Sequence, residues 1–171
     1  FSKRMKIMED KCSKMKSNYK ALPGMLFGAG ISCFLIAKQQ ECINRWKSEA
    51  EKNRALFLLM DQWANIKQEG KNLEAYFERY HYKRIAVYGM SYAGMRLCKE
   101  LKHSGIKIAY GIDRNAGNIY SDIKLITPSD KLEDVDAIVI TAIAGFDDIC
   151  DELSKKITCP FLSIEDILNE I

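Results

Sequence analysis

The sequence predicts an α/β fold, a parallel sheet with helices on both faces, preceded by an N-terminal helical segment. Three observations carry this expectation. Arg84–Tyr88 (RIAVY) runs directly into Gly89-Met90-Ser91-Tyr92-Ala93-Gly94, and a helical pattern of Met95, Leu97, Cys98 and Leu101 follows. Asp136–Thr141 (DAIVIT) is an apolar run of the kind buried on both faces of a parallel sheet. From residue 84 to the end, strand-like and helix-like stretches alternate, which calls for parallel strands joined by right-handed crossovers.

The amino-terminal third is organised differently. Residues 1–38 combine a lysine-rich segment with the charge-free run Ala21–Ala37, bracketed by Lys20 and Lys38. As a helix rising ~1.5 Å per residue this run spans roughly 26 Å, slightly less than a hydrocarbon core of about 30 Å. Lysine stems can make up the difference, and Gly24 and Gly28 stand four apart, a spacing that lets two membrane helices approach closely. Pro23, Gly24, Gly28 and Gly30 weaken the helix in water, and basic flanks on both sides give no orientation. The run therefore reads first as a membrane anchor, next as a soluble oligomerising or core helix, and last as a disordered segment. Residues 39–80 read as a helical connector. One long helix is expected over Gln39–Gln68, with Trp46, Ala50, Leu56, Phe57, Met60, Trp63 and Ile66 on its inner face. Gly70 stops it, and Asn72 caps a short helix over Leu73–Tyr80. The two tryptophans read as packing residues.

Residues 81–171 form the expected sheet domain. After Arg84–Tyr88 and the helix ending at Gly105 come strands at Ile106–Ile112, Ile123–Thr127, Asp136–Thr141 and Pro160–Ser163. A helix over Gly145–Lys156 turns Phe146, Ile149, Cys150 and Leu153 inward and places Asp147 and Asp148 in its first turn, where they suit the helix dipole. A last helix over Glu165–Ile171 is capped by Ser163. Strand, glycine turn, helix, strand and acid, in that order, make a mononucleotide-binding unit, so the sheet is expected to be Rossmann-like.

Each part of that unit has a physical reason. Gly89 allows the tight turn off the strand, and Gly94 lets the helix pack close to the sheet. The helix start at Ser91–Gly94 offers free N–H groups and the positive end of a dipole, which favour a phosphate. Asp113 ends the second strand, where a carboxylate can accept hydrogen bonds from ribose hydroxyls. Ser91 stands where the dinucleotide pattern has its middle glycine, so NAD(P) fits less well than a nucleotide or nucleotide sugar. Ligands of such sheets bind beyond the carboxyl ends of the strands. The candidate binding residues are therefore Gly89, Met90, Ser91, Tyr92, Gly94, Asp113, Arg114, Thr141 and Ala142, with Ala142–Gly145 small enough to admit a ligand. Gly89–Ala93 also brushes against a nucleophile elbow, but no histidine follows His103 to complete a hydrolase triad.

Composition narrows the classes further. A net charge of +3 does not argue for nucleic acid. The charge is uneven: residues 1–56 carry twelve Lys/Arg and five Asp/Glu, and the remainder is acidic. Six cysteines without a C-x-x-C pair give no zinc spacing and read as thiols in a reducing compartment. The expectation is a cytoplasmic protein, attached to the inner face of the membrane if Ala21–Ala37 is an anchor.

Tyr88-Gly89 with Gly94, then Tyr110-Gly111-Ile112-Asp113-Arg114-Asn115, Ile123–Pro128 and Asp136–Thr141 form a recognisable series. Over about residues 72–171 it resembles the small Rossmann-like domains of bacterial surface-polysaccharide biosynthesis proteins, similar to the amino-terminal domain of sugar acetyltransferases. The resemblance implies that Gly89, Ser91, Gly94 and Asp113 contribute to a nucleotide-sugar site. It does not carry catalysis with it, because the acetyl-transferring repeat domain of those enzymes is not in this sequence. Two functions are thus expected to compete: a module for a small-molecule nucleotide ligand, accessory to glycan assembly, and a non-catalytic membrane-tethered or oligomerising scaffold that self-associates through its N-terminal helices. A small NAD(P)-dependent oxidoreductase is a weaker third reading, for want of a second domain and an acid–base pair.

Overall fold

The computed structural model describes the backbone of residues 28–171 and the side chains of residues 36–171. The basic segment and the first part of the Ala21–Ala37 run lie outside the described residues. Among the described residues, no helix is long and apolar enough to cross a membrane. The chain divides into two units, residues 1–47 and 48–171. In the first, helical backbone runs from Gly28, and every described side chain is exposed.

The long helix is α1, Gly28–Gln68. It extends well before the expected start at Gln39: once a helix is nucleated, each added residue gains a hydrogen bond, and Gly28 and Gly30 do not stop it. Its packing face is the expected one at Trp63 and Ile66, with Leu56 and Met60 half-buried against the same core, and differs at Phe57 and Leu59. Leu59, Trp63 and Ile66, spaced i, i+4 and i+7, are buried within the second unit, whereas Phe57 is exposed, as is Trp46 in the first unit. Trp63 is held as well as packed. Its Nε1–H donates to Glu100 Oε2 at 2.7 Å, and Lys67 Nζ reaches the other carboxylate oxygen at 3.0 Å. Asn72 Oδ1 accepts the Ala75 N–H at 3.0 Å and starts α2, Glu74–Arg79, as its sequence position predicts.

Five parallel strands follow, with the order β3-β2-β1-β4-β5. They are β1 (Arg84–Tyr88), β2 (Lys107–Ile112), β3 (Leu125–Ile126), β4 (Ala137–Ile140) and β5 (Phe161–Ser163). The helices between and after them are α3 (Tyr92–Leu101), α4 (Phe146–Leu153) and α5 (Ile164–Glu170). Alternation along the central strands sorts the core into two layers. Ile85, Val87 and Val139 face one layer with Trp63, Phe77, Leu97 and Ile167. Ala86, Tyr88, Ile138 and Ile140 face the other with Ile149 and Leu153 of α4. The sheet is thus covered by helices on both faces, as the sequence predicts. β3 is shorter than expected because it is an edge strand, paired only with β2 and ended by Pro128. Ser163 caps α5, its Oγ accepting the Glu165 N–H at 3.2 Å.

The described cysteines Cys42, Cys98, Cys150 and Cys159 are all free thiols, and burial pushes the Cys98 thiol up to about 11. At the opposite end of the sheet from the strand carboxyl termini, Asp136 Oδ2 accepts the N–H groups of Lys83 and Arg84, both at 2.7 Å. These bonds, Arg84 first, hold its carboxyl below the ordinary value of 3.8. A depressed native pKa stabilises the fold above the unfolded value, and the gain is lost as pH falls through the native value. Asp136→Asn is therefore expected to melt at a lower temperature than the parent at pH 7, with the gap closing below pH 3.8. Melting curves from pH 7 to pH 2.5 check this, and a gap independent of pH contradicts it.

Candidate functional site

The sheet reverses its direction of growth between β1 and β4, since the chain builds outward from β1 to β2 and β3, then returns to β4 and β5. Crevices form at such a reversal, outside the carboxyl ends of the strands. One is present here, a cleft of about 350 Å³. Tyr88 and Gly89 wall it from β1, Asp113, Arg114 and Asn115 from the end of β2, and Ala142, Ala144 and Gly145 from the turn after β4. Asp148 and Ile149 of α4 close the remaining side.

The glycine turn is built from close contacts. Gly89 has φ +92°, a conformation that favours glycine, and a Cβ there would lie 3.1 Å from Thr141 Oγ1 and 3.3 Å from the Ala142 nitrogen. A Cβ on Gly94 would lie 2.1 Å from the Gly89 carbonyl oxygen. Strand and helix therefore cross at a distance that only a hydrogen at residue 94 permits. Thr141 completes the arrangement. Its hydroxyl lies 2.5 Å from the Gly89 carbonyl oxygen and 3.1 Å from that of Tyr88, and its N–H donates to Tyr88 at 2.9 Å.

The structure places the nine candidate residues in two groups. Gly89, Asp113, Arg114 and Ala142 line the cleft. Met90, Ser91, Tyr92, Gly94 and Thr141 are not on its wall. Met90 is buried, with its Sδ against the α-carbon side of Gly111, and its N–H donates to Asp113 Oδ2 at 2.8 Å rather than standing free for a phosphate. Thr141 is buried with its hydroxyl engaged, and Gly94 is buried behind the turn. Ser91 and Tyr92 are exposed at the start of α3, where Ser91 is the N-cap by backbone geometry without a side-chain cap bond. Its hydroxyl is not drawn into the helix start, and the first N–H groups of α3 have no partner within the helix.

Asp113 is more occupied than its position in the sequence suggests. One oxygen takes the Met90 N–H, and the other takes the Asn115 N–H at 2.8 Å. Each oxygen retains a further lone pair, so the carboxylate can still accept a hydroxyl from the cleft. Arg114 is the one cation among the lining residues. Its Nη2 lies 3.3 Å from Glu152 Oε2, and the neighbouring Tyr88 oxygen, then Glu152, push its pKa up. Burial raises the Tyr88 phenol, which stays protonated while its oxygen accepts from the guanidinium beside it. Among the described residues no cluster of His, Cys, Asp or Glu could hold a metal ion.

Three lining residues escape the sequence reading. Tyr88 and Ile149 look like strand and helix core, and Asp148 like a helix-start charge. The available signal was the second strand–turn–helix junction, Thr141–Asp148, whose Gly145 has φ +80°. No family model, curated protein or solved structure matches the chain.

Proposed function

We propose that the sheet domain binds a nucleotide or nucleotide sugar, as an accessory module of glycan assembly. The observation that carries this reading is the cleft at the β1/β4 reversal, with one arginine at its lip and a carboxylate held in place at the end of β2. Asp113 would accept sugar hydroxyls, and Arg114 would pair with a phosphate oxygen. The link to glycan assembly rests on the resemblance of residues 72–171, and binding itself on the cleft. Nothing in the cleft forms a nucleophile–base pair, so the reading is a binding module without an assigned reaction.

Thermal-shift measurements on the full chain against a panel of nucleotides and nucleotide sugars test it. At least one member is expected to raise the melting temperature. Arg114→Ala is expected to weaken that ligand about tenfold, since a charge-assisted hydrogen bond contributes roughly 1.5–3 kcal/mol. No shift with any member, upheld by calorimetry, removes the reading. A second reading, a scaffold that self-associates through its helical segment, is favoured by the exposed side chains of α1.

A further inference from the structure

The long helix α1 has two apolar faces, and the fold uses only one. At about 100° per residue, Phe57 stands roughly 160° around the helix from Leu59, which packs into the second unit. The unused face is not random. Ile36, Ile43, Ala50 and Phe57 recur at intervals of seven residues, and Trp46 falls three residues after Ile43. All five are exposed: Ile36 at 64%, Ile43 at 45%, Trp46 at 42% and Phe57 at 69%, with Ala50 likewise open. A strict seven-residue apolar repeat is the pattern of one core position of a left-handed supercoil, here Ile36, Ile43, Ala50 and Phe57, with Gln39, Trp46 and Asn53 at the other and Met60 already turned to the core of the second unit. A helix of this length exposed on all sides over residues 36–54 also lacks the tertiary packing that stabilises most helices in water.

We infer that this face is covered by the same face of a second copy of the chain, in a parallel two-stranded coiled coil over residues 36–57. The charges beside the seam select both partner and direction. In that register Glu49 precedes the seam and Arg54 follows it by five residues, so Glu49 of one copy meets Arg54 of the other, twice by symmetry. Reversing one helix brings Lys47 and Arg54 of the two copies together on the same flank, placing like charges opposite one another. The seam binds a copy of itself and is separate from the cleft, so either can fail without the other.

Sedimentation equilibrium of the full chain, from 1 to 100 micromolar, is the first test. Twice the 19.6 kDa chain mass is expected. The double variant Ile43→Lys/Phe57→Lys is expected to sediment as a monomer with its thermal unfolding still cooperative. Direction is read by cysteine placement. Asn53→Cys, on the seam, is expected to give a covalent dimer under mild oxidation well beyond that of the parent, and Lys52→Cys, off the seam, is not. A parent that is monomeric throughout, or trimeric or larger, overturns the inference. So does equal cross-linking of the two cysteine variants, or a double variant that remains dimeric. A monomer would instead point to the amino-terminal segment of the same chain, or to a membrane, as the cover of this face.

Discussion

Gly94→Ala is expected to destabilise the sheet domain by about 3 kcal/mol or more, lowering its melting temperature by about 10 °C. The cause is a collision that side-chain movement cannot relieve. The added methyl would sit 2.1 Å from the Gly89 carbonyl oxygen and 3.1 Å from its carbon, and both atoms are backbone. Gly89 itself is anchored by its N–H to Ile112 and by the Thr141 hydroxyl, so the turn cannot simply retreat. Relief requires α3 to lift from β1, opening the layer in which Ala93 and Leu97 are buried. Gly117→Ala provides the control. No atom lies within 4 Å of a Cβ at that position, and its effect is expected to stay within about 0.5 kcal/mol. Urea unfolding of both variants checks the pair. A Gly94→Ala protein as stable as the parent contradicts the close crossing of strand and helix.

Trp63→Ala is expected to cost about 3–5 kcal/mol, the range for removing a large buried ring. Trp63 is 1% exposed and joins the end of α1 to the layer that also holds Phe77 and Leu97. Its indole N–H is one of the donors to Glu100, a carboxylate that also receives Lys67 and the Leu73 N–H. Trp63→Phe separates the two contributions. It keeps most of the ring but removes the donor, and is expected to cost about 1–3 kcal/mol, the range for depriving a buried polar group of a partner. Equilibrium unfolding followed by circular dichroism measures both. Equal losses for Ala and Phe would assign the whole effect to the hydrogen bond and contradict packing as the main contribution.

The sheet could be read from residues because its signals are local and redundant. RIAVY, DAIVIT and the glycine turn between them each specify one state, and their order leaves few topologies. Asn72 and Ser163 were legible as caps for the same reason. The long helix was less so. With apolar residues on two faces of one helix, periodicity alone cannot say which face meets the domain, and Leu59 rather than Phe57 does. The cleft was legible in position but not in composition. Met90 lies within the glycine turn and Thr141 directly follows β4, yet the direction of their side chains depends on register: Met90 points into the core against Gly111, and the Thr141 hydroxyl turns back to two carbonyls. Asp148 reached the cleft only because α4 begins where it does, after the left-handed Gly145.

Calorimetric titration of nucleotides and nucleotide sugars into the parent and into Ala144→Phe tests the ligand assignment most directly. Ala144 lies on the cleft wall outside the packed layers, and a phenyl ring there should occupy the opening while sparing the core. The expected result is micromolar binding of at least one ligand to the parent, and a loss of tenfold or more in the variant at an unchanged melting temperature. Equal affinity in both proteins, or no heat from any ligand with the parent, would mean that the crevice between β1 and β4 is not a nucleotide site.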